Sequence, residues 1–187
     1  MLGQLLRSAL LICAFTTAGA HAQQRSEAPG PEAKSGPPVT ISGFRYQHLP
    51  PKIHMNVCEA ATCTLGSKVS YLFMAPSPQP TFEQYQAERT TIAEALRRRS
   101  AAGSTITFDP PQQTKDKLFT IFKARRVDAF PDGSKLFVWS QRVYSARMAF
   151  EIISSSPDEK AAEGNLALFT MPIMLLSQMQ SGPPKDR

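Results

Sequence analysis

The chain has 187 residues, of which 42% are apolar, and carries a formal net charge of +6 at pH 7. A chain of this length and apolar content can bury one core, so the composition predicts a single modest domain. The moderate positive excess suits anionic partners such as lipid headgroups, polyanionic glycans or an acidic protein. No nucleic-acid-binding module is visible in the sequence, and nucleic acid is not expected as a partner of the exported protein predicted below.

Residues 1–22 predict a secretory signal peptide. Arg7 supplies the positive start, an apolar stretch follows, and the small residues of AHA at 20–22 predict cleavage after Ala22. The apolar stretch is too short for a membrane span, which takes about 20 residues. Cys13 would instead suit a lipoprotein anchor, although Ile12 before it is a poor match to the small residue that such processing favours. Export places the mature chain in the periplasm or outside the cell, with its net charge lowered from +6 to +5 by the loss of Arg7.

The rest of the chain divides by composition. Residues 23–38 are rich in proline, glycine and charge, which predicts a flexible leader. The folded domain is predicted over 39–179, and residues 180–187 have the composition of a disordered tail.

Once the signal peptide is removed, Cys58 and Cys63 are the only cysteines. An even pair in an exported protein predicts a disulfide, and extended flanks suggest that the two face each other across a four-residue hairpin loop. Two alternatives stay open. The first is a metal site, since His54 and Met55 together with the two cysteines offer soft ligands for copper or zinc. The second is a redox-active cysteine pair, although the usual Cys-x-x-Cys spacing is absent.

The N-terminal half of the domain predicts a hairpin followed by a long helix. Segment 39–49 begins the sheet, and the hairpin returns along 68–75, where apolar side chains alternate on both faces. The helix begins at Thr81, whose hydroxyl caps it while Gln84 completes a capping box, and it ends near Ser100.

The C-terminal half predicts antiparallel strands and a second helix. The strands are predicted over 104–108, 117–127, 135–145 and 146–154, with a turn at PDGS, 131–134. The second helix is predicted to open at SPDE with Ser156 as its cap and Pro157 in its first position. Pro172 is expected to kink or split this helix near Thr170. The predicted fold class is therefore α+β, an antiparallel sheet packed by two main helices.

This order of elements resembles the PsbP/Mog1/DcrB-like family over roughly Ser67 to Leu176. In DcrB-type bacterial envelope proteins a strand similarly runs into a helix after a proline-containing break, here PSPQP. Their closing hairpin also leads through an acidic, proline-containing turn into the last helix, here SPDE. The resemblance implies a compact, usually non-enzymatic accessory or binding domain, and it supplies no catalytic residue.

Two basic regions are candidate contacts for an anionic partner. Arg97, Arg98 and Arg99 close the first helix, where cations meet the negative end of the helix dipole. Lys123 and Arg125 share one face of a strand because side chains alternate along it. A solvated helix end and a solvent-facing sheet surface explain the same residues without a partner, and that simpler interpretation stays open.

The sequence contains no catalytic signature. It has no Gly-x-Ser-x-Gly elbow, zinc-protease motif, P-loop or dinucleotide fingerprint. The mature chain retains only His48 and His54 as imidazoles, which leaves few bases for a triad. Paired carboxylates can catalyse glycosidic hydrolysis, and the conceivable members of such a pair are Asp109, Asp128, Asp132 and Glu151.

The sequence therefore predicts a periplasmic or secreted accessory module without a catalytic residue or cofactor. It is expected to bind an envelope protein or an anionic envelope component through its sheet face or through a groove beside the C-terminal helix. A soft-metal-binding protein and a carboxylate-dependent envelope hydrolase are the alternative hypotheses.

Overall fold

A computed structural model describes residues 38–50, 52–74 and 78–180. The predicted signal peptide lies outside these residues, and so do the predicted leader and tail apart from Pro38 and Gln180. Within the described residues the elements, in chain order, are β1 (Phe44–Leu49), β2 (Ile53–Cys58), β3 (Lys68–Met74), α1 (Phe82–Arg99), β4 (Thr105–Phe108), β5 (Gln112–Lys115), β6 (Thr120–Ala129), β7 (Lys135–Tyr144), β8 (Ala149–Ser156) and α2 (Glu159–Gln180).

The strands form one antiparallel sheet in the order β1-β2-β3-β8-β7-β6-β4, and β5 pairs with β6 beside β4. Every pairing is antiparallel, from β1 against β2 at one end to β4 and β5 against β6 at the other. The predicted α+β class, with an antiparallel sheet and two helices, is confirmed.

The two helices lie on opposite faces of the sheet. Neighbouring residues of one strand point to opposite faces, and Phe122 belongs to the core under α1 whereas Ile121 packs in the core under α2. The α2 core is the larger. It is built from strand side chains and the inner face of α2, including Tyr71, Phe150, Ile152, Leu166, Phe169 and Ile173.

Helix α1 begins as its sequence predicts. The Thr81 hydroxyl accepts from the Gln84 backbone N–H at 3.2 Å, and the Gln84 side chain accepts from the Thr81 N–H at 2.8 Å. This reciprocal pair satisfies two amide groups that a helix start would otherwise leave without partners. The backbone of Ser100 closes the helix by donating to Arg97.

The local structure differs from the sequence predictions at β5 and at the start of α2. Strand β5 was not expected, because its sequence QQTK has no apolar alternation, yet it pairs with β6. The cap of α2 is Asp158, whose Oδ1 accepts from the Ala161 N–H at 2.7 Å, whereas Ser156 ends β8. Helix α2 runs as one element from Glu159 to Gln180, so it is not split at Pro172, and the kink expected there stays a prediction.

The two sulfurs of Cys58 and Cys63 lie 2.07 Å apart, which is bonding distance, as predicted. The geometry around them differs from a four-residue hairpin. Strand β2 ends at Cys58 and β3 begins only at Lys68, so Cys63 lies inside the connecting loop 59–67. This loop packs on the start of β1, where Gly43 has φ +87° and a Cβ would meet the Thr62 hydroxyl at 2.6 Å. The disulfide therefore shapes a loop that packs against Gly43, directly before β1.

Candidate anion-binding groove

A groove of about 330 Å³ lies between α1 and the edge of the sheet formed by β4 and β5. Helix α1 lines it with Gln86, Arg89, Thr90, Ala93 and Arg97, and the sheet edge lines it with Phe108 and the segment 109–111. The helical residues recur at intervals of three, four and seven, so they share one face of α1.

The opposite wall exists because the edge strand is interrupted. Phe108 at the end of β4 pairs with Arg126, and Gln112 at the start of β5 pairs with Lys123. Between them Pro110 and Pro111 have no backbone N–H to donate, so the ladder with β6 breaks there, as prolines do on edge strands. The interrupted segment 109–111 thereby forms the wall of the groove opposite α1.

Two guanidinium groups flank one aromatic ring in this groove. The Arg89 and Arg97 Cζ atoms lie 5.7 and 5.6 Å from the centroid of the Phe108 ring. Cation–π contacts at such distances orient a guanidinium without neutralising it. Among the described residues neither arginine forms an ion pair, and Arg89 Nε is buried without a hydrogen-bond partner.

The one carboxylate in the groove is already engaged. Asp109 Oδ2 accepts from Arg125 Nη1 at 2.7 Å, and Arg125 Nη2 lies 2.6 Å from Glu159 Oε1. Hydrogen bonding to Asp109 and then to Glu159 holds the pKa of Arg125 above its ordinary value, although its partial burial opposes the charged form. The groove is therefore positively charged, and its arginines are available for an anionic group, which a planar guanidinium can bind through two parallel hydrogen bonds.

The basic residues predicted to contact an anionic partner lie in different parts of the structure. Arg97, Arg98 and Arg99 do form the last turn of α1. Arg97 alone enters the groove. Arg98 lies 3.9 Å from Glu94 in an exposed pair, and Arg99 is exposed.

Lys123 and Arg125 lie on the other face of the sheet and do not form the solvent-facing surface that the simpler interpretation gave them. Lys123 Nζ lies 4.2 Å from the centroid of the Trp139 ring and 2.9 Å from Glu163 of α2. Both side chains are largely covered, 30% and 21% exposed, and both attach the first turns of α2 to β6. They are less accessible to a partner than Arg97.

Sequence reasoning missed Arg89 and Phe108. Arg89 precedes Arg97 by eight residues, with Ala93 between them, so helical spacing alone would have placed the two arginines on one face. Phe108 could not have been found this way, because its position beside α1 depends on how the edge strand packs.

The proposed metal ligands are not brought together. Both sulfurs lie within bonding distance of each other, and His54 Nδ1 lies 2.8 Å from the Tyr46 hydroxyl. Met55 is the next residue of β2 and points to the opposite face of the sheet from His54. No group of three or more His, Cys, Asp or Glu side chains in the described part of the chain is placed to hold a metal ion.

Each carboxylate considered for hydrolysis has a structural partner. Asp128 lies 2.8 Å from Arg126, and Glu151 lies 3.0 Å from Arg142. Asp132 accepts from the backbone and hydroxyl of Ser134 in the PDGS turn, and these hydrogen bonds hold its pKa below the ordinary value. With Asp109 paired to Arg125, each of the four carboxylates is held by a neighbouring group.

Comparison with known proteins adds no family. No protein-family model matches the chain, and no curated protein matches it in sequence. The resemblance to the PsbP/Mog1/DcrB-like family therefore stays a prediction. Neither described helix is both long enough and apolar enough to cross a bilayer.

Proposed function

We propose that the protein is an exported, non-enzymatic accessory module that binds an acidic segment of an envelope protein in the groove beside α1. The observation that carries the proposal is the pair Arg89 and Arg97, which flank Phe108 with no ion-pair partner among the described residues. Uncommitted guanidiniums at a concave surface favour a ligand that brings its own carboxylates.

A peptide fits the groove better than a glycan. Both arginines lie over the Phe108 ring, so this ring is not free to stack on a sugar. The prolines and Ala93 offer apolar contact to side chains, and Gln86 and Thr90 offer hydrogen bonds to a peptide backbone. An acidic peptide segment with some apolar character uses all of these features.

Binding of a fluorescein-labelled oligoglutamate peptide, followed by fluorescence anisotropy, tests the groove. We expect Arg89→Gln and Arg97→Gln each to weaken binding roughly tenfold, since hydrogen bonds to charged groups contribute about 1.5–3 kcal/mol. The combined variant Arg89→Gln/Arg97→Gln has a matched control in Arg98→Gln/Arg99→Gln, which removes the same charge from the same helix outside the groove. Equal losses in both double variants, or tight binding of oligogalacturonate but not of the peptide, would contradict the proposal.

The export half of the proposal is supported by the predicted signal peptide, residues 1–22, and by the bonding distance between the Cys58 and Cys63 sulfurs. Cell fractionation and intact-mass measurement of the tagged full chain test it. We expect a periplasmic or secreted form cleaved after Ala22 that contains the intact disulfide. In-cell crosslinking from a photoreactive residue at Thr90 should then capture an acidic envelope protein, and this capture should be lost with Arg89→Gln/Arg97→Gln.

A further inference from the structure

The outward face of α2 is apolar. Leu168, Met171, Leu175 and Met179 follow one another at helical spacing and are 49%, 57%, 56% and 80% exposed. Their neighbours Leu166, Phe169 and Ile173 point the other way into the core. We call these four exposed residues the α2 stripe.

The α2 stripe has no charged residue among its neighbours along the helix. From Gly164 to Gln180 the helix contains no Asp, Glu, Lys or Arg. A helix at the surface of a domain ordinarily carries charged residues opposite its buried face, and contiguous exposed apolar surface marks an interaction site. The stripe therefore indicates that this face meets an apolar phase.

Cations lie at the end of the α2 stripe. A cavity of about 420 Å³ at the C-terminal end of α2 lies between the β5–β6 and β7–β8 turns and is lined by Lys117, Leu118, Arg147 and Gln178, among others. Leu118 is 72% exposed at the tip of its turn. The adjacent carboxylate, Asp116, is turned back onto the backbone N–H groups of Leu118 and Phe119 at 2.7 Å, so it holds the tip rather than lining the cavity.

We propose that the α2 stripe and the Leu118 tip dock on the surface of an anionic lipid bilayer, with a lipid phosphate in the cavity between Lys117 and Arg147. Apolar side chains enter the boundary between headgroups and acyl chains, as they do for helices that lie in the membrane plane. The two cations at the rim attract anionic headgroups, each basic residue near such a surface contributing about 1 kcal/mol.

A second copy of the chain is the other occupant to consider, and the charges disfavour it. In an antiparallel pair of α2 helices, the carboxylates nearest to Lys117 would come from the other end of the partner helix. Those residues are Glu159 and Glu163, and they are already paired with Arg125 and Lys123. A bilayer supplies both the apolar phase and the anionic groups.

Membrane docking would leave the anion-binding groove accessible. The groove is built on α1, on the face of the sheet opposite α2. The docking proposal uses different residues from the groove and does not depend on it, so either can fail alone.

Vesicle co-sedimentation of the full chain tests the docking. We expect binding to vesicles of phosphatidylglycerol and phosphatidylcholine in equal parts and little binding to pure phosphatidylcholine. Leu175→Glu with Met179→Glu should weaken binding tenfold or more, and Lys117→Gln about fivefold. The matched control is Leu65→Glu, a 65% exposed leucine in loop 59–67, which should bind as the unchanged protein does.

Several outcomes would overturn the docking. One is equal binding by the α2 stripe variant and the Leu65→Glu control, once circular dichroism has shown that both are folded. Another is concentration-dependent dimerisation in light scattering that Leu175→Glu abolishes, without vesicle binding, which would assign the face to a second copy. Complete displacement from vesicles by inorganic phosphate at constant ionic strength would assign the cavity to a free anion. Absence of vesicle binding would also contradict the proposal.

Discussion

The two helices occupy opposite faces of one sheet and are held there by different interactions. Helix α2 buries a continuous apolar face, with Leu166, Phe169 and Ile173 at 2% exposure or less. Helix α1 fully buries only Tyr85 and Ala93, packs Phe82 partly buried on the same small core, and is further joined to the sheet by charge. The Arg142 guanidinium on β7 holds Glu88 of α1 and Glu151 of β8 together.

The solvent-facing surfaces of the two helices also differ, one being charged and the other apolar. Helix α1 carries acids and arginines along its exposed face, and its arginines line a polar groove. Helix α2 presents the uncharged α2 stripe. A helix at a domain surface ordinarily carries charged and polar residues opposite its buried face, as α1 does, so the uncharged outer face of α2 is the exception.

The largest expected effect comes from removing an aromatic anchor of α2. Phe169 is fully buried and meets the Phe44 ring edge-on at 5.1 Å. We expect Phe169→Ala to lower the free energy of unfolding by about 3–5 kcal/mol in denaturant titrations. The α1 counterpart, Phe82→Ala, should cost about 1–2 kcal/mol because Phe82 is only partly buried. Equal losses would show that the two helices do not differ in how they are anchored.

The next effect concerns the ion pairs that hold α1. Arg142 is 12% exposed, and Arg142→Met would leave Glu151, 15% exposed, without its partner. We expect a loss of about 2–4 kcal/mol in chemical denaturation, below the cost for a fully buried pair because Glu88 stays partly hydrated. Adding Glu151→Met should recover most of the loss, since no uncompensated buried charge would then remain. A double variant less stable than Arg142→Met alone would contradict this account.

Local rules predicted those parts of the fold that neighbouring residues determine. The capping box of Thr81 and Gln84 is a contact between residues three apart, and it forms as expected. The PDGS turn likewise closes with the Phe130 N–H donating to Ser134, and Gly133 takes a positive φ of 84°. Strand β5 was missed because QQTK becomes a strand only through its pairing with β6.

The candidate groove was predictable only in part, for the same reason. Arg97 could be identified from the sequence because it belongs to the run of arginines at the predicted end of the first helix. The position of Phe108 depends on the interrupted edge strand. Arg89 is recognised as a groove residue only through its contact with the Phe108 ring. The sequence likewise suggested solvent exposure for Lys123 and Arg125, but it could not show that Glu163 and Glu159 of α2 would cover them.

The smallest predicted effect is a difference between the two faces of the sheet in how their contribution to stability depends on pH. His54 lies on the α2 face, 2% exposed and stacked on Tyr71 at 4.7 Å, and burial and then the charge of His48 hold its pKa below the ordinary 6.5. On the α1 face, hydrogen bonding from Arg142 holds the pKa of Glu88 below its ordinary 4.5. In both cases the unfolded chain binds protons at higher pH than the folded one, so stability falls as pH falls.

The two losses should therefore begin in different windows. The His54 contribution is complete above pH 6.5 and declines below it, whereas the Glu88 contribution declines only below pH 4.5. Denaturant titrations across this range should show a first decline that His54→Phe removes, because the ring stays stacked on Tyr71 and no longer titrates. His48→Gln should reduce this decline without abolishing it, since burial is the larger cause of the shift. An unchanged decline in His54→Phe would place the proton uptake at another group and would contradict the assignment of this decline to the α2 face.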